Sequence, residues 1–217
     1  MEKVHVIQKD TASFDVDPQC GFSPLCPDEL PVNDAEAIVP VLNRQAEKGH
    51  LRIASKDAYT PDGIWIATQE KPQFSAVGWP NVDVRWNRHC QVGTAGFEFL
   101  PGLPKPLEYD FVAYKGMEND SHPYGACYHD LGDTRSTGVI EFLERKDVQT
   151  VIVGGLATDY CVKVTALQLR KAGFEVILNL AACRAIDFNG SRKAALEEMQ
   201  AAGIKIVETE ADIIVVR

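Results

Sequence analysis

No run in this 217-residue sequence approaches the roughly 18 consecutive apolar residues that cross a bilayer, and the start, MEKVHVIQKD, lacks the apolar core of a secretion signal. A cytoplasmic protein is therefore expected. Positive charge is also scarce. The 22 Lys and Arg stand against 31 Asp and Glu, a formal net charge of -9, and no basic stripe offsets the excess. That argues against a nucleic-acid partner and against an anionic membrane surface. The six cysteines (Cys20, Cys26, Cys90, Cys127, Cys161 and Cys183) include no CxxC pair and are too sparse for a disulfide scaffold, so they are expected to be reduced. Internal repeats and low-complexity segments are missing too. A small-molecule substrate is the partner class that remains, with assembly into a homo-oligomer left open.

What is present is an ordinary globular composition. With 45% hydrophobic and 24% charged residues the chain can bury one sizeable core, so residues 1–217 are read as a single domain. Short β-type runs fall at Val4–Ile7 and Ala12–Val16, separated by Lys9 and Asp10, and are expected to form a hairpin or one bent strand. Further strands are expected at Leu51–Ser55, Phe111–Tyr114, Val151–Val153, Glu175–Leu180, Ile204–Val207 and Ile213–Val216. Helical spacing lies between them. Ile38, Val41, Leu42 and Ala46 share one face after a cap at Asn33 or Asp34, and helices are also expected over Thr137–Arg145, after Thr158, and over Arg192–Ala202. This alternation predicts the α/β class, a doubly wound three-layer sandwich around a mainly parallel central sheet. Tyr59 to Asp110 breaks the pattern, with many Gly and Pro residues and little periodicity. So long an irregular stretch in a compact domain is usually functional.

The chemistry centres on Thr150–Leu169, TVIVGGLATDYCVKVTALQL. A buried strand ends at Gly154 and Gly155, and a helix capped by Thr158 or Asp159 follows, with Val162, Ala166 and Leu169 at helical spacing. Cys161 falls in the first turn of that helix. Free amide N–H groups there favour a thiolate and offer donors to an oxyanion, which marks Cys161 as a candidate nucleophile. Asp17, Asp57 and Lys115 also follow immediately after expected strands. In a parallel sheet all four side chains share the carboxyl edge, where α/β sites lie.

Four motifs carry a resemblance across nearly the whole chain. DPQCGF (Asp17 to Phe22), WNRHCQVGTAG (Trp86 to Gly96), YKG (Tyr114 to Gly116) and GLATDYCV (Gly155 to Val162) resemble, in order, those of the pyrazinamidase/nicotinamidase family of isochorismatase-like cysteine hydrolases. The resemblance implies a catalytic triad of Asp17, Lys115 and Cys161, and a cis peptide between Leu156 and Ala157. It also implies an oxyanion hole from the backbone N–H groups of Ala157 and Cys161. Phe22 and Trp86 are the implied walls for a flat pyridine ring, with Leu156 and Tyr124 beside them. The implied reaction is hydrolysis of nicotinamide to nicotinate and ammonia through a cysteine thioester. A related cysteine hydrolase for another small amide, and a metabolite-binding protein without catalysis, stand as alternatives.

The sequence departs from the family at the metal site. The resemblance implies a divalent cofactor (zinc, iron or manganese) held by D-x-H after the second strand and by the His of the HC motif. Asp57 and His89 match, but Tyr59 replaces the middle histidine, and a protonated phenol is a poor ligand. Metal binding is then weakened, or Tyr59 bonds the ring nitrogen directly. His122 or His129, in the irregular stretch after Lys115, can fold over the site.

Overall fold

The computed structural model describes residues 3–216. In chain order its first elements are β1 (Val4–Ile7), β2 (Thr11–Val16), α1 (Ile38–Ala46), β3 (Leu51–Asp57), β4 (Ala76–Trp79), β5 (Val82–Val84) and β6 (Phe111–Lys115). There follow α2 (Val139–Arg145), β7 (Thr150–Leu156), α3 (Lys163–Lys171), β8 (Glu175–Arg184), α4 (Ser191–Ala201), β9 (Lys205–Val207) and β10 (Ile213–Val216). Six strands form the central sheet in the order β6-β3-β2-β7-β8-β9, with every neighbouring pair parallel. All six residues of β2 are buried, as the middle strand of a sheet covered on both faces must be. The chain builds outward from β2 to β3 and β6, then returns to lay β7, β8 and β9 on the other side. The winding therefore reverses between β2 and β7, and such a reversal opens a crevice at the carboxyl ends of the strands.

Helices cover both faces. Phe14, Val153 and Leu178 point into the core beneath α2, α3 and α4, against Leu143, Leu169 and Met199. The other face carries α1, whose Ile38, Val41 and Leu42 are buried. Each such aliphatic or aromatic side chain contributes on the order of 1.5–3 kcal/mol on burial. Gly155, at φ 135°, lets β7 press onto β2, because a Cβ there would strike the backbone of Val16. Among the described residues no helix is long and apolar enough to cross a membrane.

Three features differ from the sequence reading. β1 and β2 form no hairpin: a short 3-10 turn, Gln8–Asp10, separates them, and β1 pairs in parallel with β10 in a ladder of its own. The irregular stretch after β3 contains an antiparallel hairpin of β4 and β5, whose strands are too short to show a period. β8 runs on to Arg184, with a register shift against β7 between Val153 and Gly155.

Asp15, on the α1 face of β2, is fully buried with Arg52 Nη2 at 2.8 Å and the Tyr109 hydroxyl at 3.0 Å. Burial outweighs the Arg52 guanidinium and raises its pKa from 3.8 to about 6. A folded-state value above the unfolded one means the native protein binds more protons in that interval, so stability falls as pH rises through 6. Denaturant melts at pH 5 and pH 7 should show a slope of that sign from this residue, and Asp15→Asn should remove it. An unchanged slope in the variant would show that Asp15 does not titrate there.

Candidate active site

The carboxyl ends of four neighbouring strands bring the predicted triad together. Asp17 follows β2 in a left-handed conformation (φ 44°), accepts a 2.7 Å hydrogen bond from the Ser55 hydroxyl, and has Oδ2 3.0 Å from Lys115 Nζ. Lys115 ends β6 and also bonds the Asp57 carboxylate, which ends β3. Its ammonium lies 3.3 Å from the Pro123 carbonyl and 3.8 Å from Cys161 Sγ. Asp17, Asp57 and Lys115 are all buried. Gln19 ties this edge together: its amide accepts from Asp57 N–H at 2.8 Å and donates to the Asp57 carbonyl at 2.9 Å. The sequence marked Gln19 only as a motif letter; its exchange of two bonds with one backbone residue gives the reason for an amide there.

Cys161 does not begin a regular α-helix. It sits in a π-type turn, Thr158–Val162, in which Val162 N–H reaches the Ala157 carbonyl at 3.1 Å, and this turn leads into α3. The peptide bond between Leu156 and Ala157 is cis. Neither Thr158 nor Asp159 caps the turn with its side chain. Asp159 instead accepts from Ile186 N–H, Asp187 N–H and Ser191 Oγ, holding the loop after β8 against the turn.

Electrostatics follow from burial and from Lys115. Burial opposes the Lys115 ammonium, but Asp17 and Asp57 more than offset it and hold its pKa well above the usual value. Burial raises Asp17 to about 6 despite Lys115, with Asp57 adding to the rise. Burial also pushes the Cys161 thiol well above its usual value, against the pull of Lys115. The resting nucleophile is thus a thiol, a correction to the thiolate expected from the helix start. Desolvation of the buried sulfur is the largest cause, and the neighbouring Asp17 and Asp57 add to it.

A narrow cavity opens onto Cys161 and Ala157. Phe22, Leu30, Trp86, Tyr124, Tyr160 and Ile186 form its apolar and aromatic walls, and Asp57, His89 and His122 its remaining polar wall. Trp86 Nε1 donates to the Tyr124 hydroxyl at 3.1 Å, which donates to Asp83 at 2.8 Å. Leu156, expected at the substrate, is buried beneath the cavity and is not part of its lining. Tyr59 likewise lies behind the wall, packed on Trp65 at 4.5 Å and stacked on His122 at 5.0 Å. Gly116, at φ 77°, makes room for it, since a Cβ would strike the Tyr59 ring.

Two of the three implied metal ligands have suitable chemistry. His89 Nδ1 lies 2.6 Å from the Asn87 carbonyl, so that nitrogen carries the proton and Nε2 offers a lone pair, 3.8 Å from Asp57 Oδ2. Burial lowers the His89 pKa to about 4, keeping it neutral. The Tyr59 hydroxyl does not suit a metal. Burial, with Asp57 beside it, raises its pKa well above the usual value, so the phenol stays protonated. Among the described residues only Asp17, Asp57 and Cys161 bring three donor atoms within 4.8 Å of one another, and the Lys115 ammonium is already bound to that group. His122 lies in the polar wall with neither ring nitrogen bonded within the protein; His129 lines a separate surface cavity with Glu118 and Arg135.

Comparison with known proteins places this geometry in context. The sequence profile of the isochorismatase domain matches residues 56–211. The nicotinamidase of Acinetobacter baylyi is 32% identical over 197 residues, covering 89% of this chain and 90% of that protein. The solved nicotinamidase/pyrazinamidase of Acinetobacter baumanii superposes with a TM-score of 0.86 at 32% identity, over 94% of this chain and 98% of its own. The pyrazinamidase of Pyrococcus horikoshii in complex with zinc, also 32% identical, superposes with a TM-score of 0.73 over 91% of this chain and 98% of its own.

Proposed function

This chain belongs to the isochorismatase family, and from that premise we propose that it hydrolyses nicotinamide to nicotinate and ammonia, with pyrazinamide as a close alternative substrate. The observation that carries this reading is the buried group of Asp17, Lys115 and Cys161, whose sulfur faces a cavity walled by aromatic side chains.

The carboxamide carbon sits over Cys161, its oxygen facing the N–H groups of Ala157 and Cys161. Asp17 takes the thiol proton as Sγ attacks, and the two N–H groups stabilise the oxyanion, each typically worth ~3 kcal/mol. Collapse of the tetrahedral intermediate expels the amine, which Asp17 protonates to ammonia, leaving a thioester on Cys161. Asp17 then deprotonates water, which attacks the thioester carbonyl and frees nicotinate and the thiol. Lys115 fixes the Asp17 carboxylate through the 3.0 Å contact and balances the charge that develops on sulfur. Ammonia release from nicotinamide by the purified protein tests the reading; a protein that releases none overturns it.

Asp57 and His89 would hold a divalent ion, which when bound supplies positive charge and a Lewis-acid position beside the cavity. Two protein ligands are one short of the number that open catalytic sites commonly use, and Tyr59 does not supply the third. Tyr59→His should therefore raise the metal content of purified protein measured by elemental analysis, from substoichiometric towards one ion per chain. Unchanged metal content in the variant would place the ion, if any, elsewhere.

A further inference from the structure

The ring nitrogen of a pyridine carboxamide is an acceptor and nothing more, so a pocket that distinguishes it from the C–H of a benzene ring must present a donor. With the carboxamide committed to Cys161 and Ala157, the lining offers five other polar side chains. Asp57 is an acceptor bonded to Lys115. His89 spends its N–H on the Asn87 carbonyl. Tyr124 donates to Asp83 while accepting from Trp86. Tyr160 is only half-buried and open to solvent. His122 remains: it is buried, both ring nitrogens lack a partner in the protein, and in either protonation state at least one of them carries a hydrogen.

His122 is also held where a reader of the ring needs to be. Its backbone N–H donates to the Asn81 carbonyl at 2.8 Å, in the turn between β4 and β5. Its ring lies nearly parallel to those of Tyr59 (5.0 Å, 6°) and Trp86 (6.1 Å, 9°), while Trp65 packs edge-on at 4.7 Å. Such packing fixes the imidazole plane in the cavity wall. We propose that His122 donates a hydrogen bond to the ring nitrogen of the substrate and is the residue that selects pyridine carboxamides over benzamide. This rests on the amidase reading above, and it assigns to an imidazole the recognition that Tyr59, behind the wall, does not reach.

The test compares kcat/KM for nicotinamide and benzamide in chelator-treated wild type, His122→Phe and His122→Gln. Phenylalanine keeps a flat ring packed with Tyr59 and Trp86 without the donor. It should cost nicotinamide roughly 10- to 100-fold while benzamide stays within about threefold, and glutamine, which restores a donor, should recover part of the loss. With 15N-labelled nicotinamide bound to Cys161→Ala, the ring nitrogen should show the shift of a hydrogen-bonded pyridine, and adding His122→Phe should remove it. Equal losses on both substrates would make His122 structural and overturn the proposal. So would no loss on either, or a chelated wild type that does not prefer nicotinamide, which would assign the recognition to a metal. In those cases wild-type turnover of nicotinamide still stands; wild type that releases no ammonia overturns the amidase reading and this proposal with it.

Discussion

Cys161→Ala should abolish ammonia release, by roughly 10^4-fold or more, while the protein keeps its fold and its affinity for nicotinamide. No other group in the cavity can take over the covalent step: the thiol lies 3.8 Å from Lys115, and the remaining five cysteines are absent from the lining. The substitution deletes one buried atom beside the cavity and leaves the turn Thr158–Val162 and its backbone bond to Ala157 in place, so the loss of stability should be small. Mass spectrometry of wild type quenched during turnover should place the acyl adduct on Cys161. An adduct on Cys90 or Cys183, or an alanine variant within tenfold of wild type, would sink the thioester route.

Asp17→Asn should lower kcat/KM by roughly 10^3- to 10^4-fold, because an amide of the same shape can neither take the thiol proton nor return it to the leaving amine. The fold should survive. Ser55 can still bond the side chain at position 17, and Lys115 keeps Asp57 as its counter-charge. In wild type, kcat/KM should rise with pH through about 6 as Asp17 loses its proton, since only the carboxylate can act as the base. That rising limb should vanish in the residual activity of Asp17→Asn. If the variant instead unfolds or loses affinity for nicotinamide in step with its activity, Asp17 is a structural residue and the proton carrier lies elsewhere.

Much of the frame was legible because it rests on local pattern. The strands that end at Val16, Asp57, Lys115 and Leu156 are short runs stopped by a charge or a turn, and a parallel sheet puts such stops on one edge. What escaped the sequence depends on distant parts of the chain. The partner of β1 is β10 rather than its neighbour, because the apolar side chains of Val6 and Ile213 meet only over Ile152 and Ile177. The protonation of Cys161 depends on how deeply the finished fold buries the sulfur, which no helix-start rule reports. The sequence offered His122 and His129 alike as residues that could fold over the site, and only the packing of their loop shows that His122 is the one at the cavity, in front of Tyr59. Asp159 looked like a cap and proved to be the anchor of the loop after β8.

The ladder in which Val4 pairs with Ile213 and Val6 with Val215 bears on biogenesis. β1 is made before the central sheet and is completed only by β10, which is made after it. Until then, Ile152 and Ile177 present an uncovered apolar face next to an unpaired strand edge. A chain stopped before β10 would still contain every residue that touches the carboxamide. Its failing would be a nascent surface that recruits chaperones or sticks to other chains, and quality control, rather than chemistry, would decide its fate.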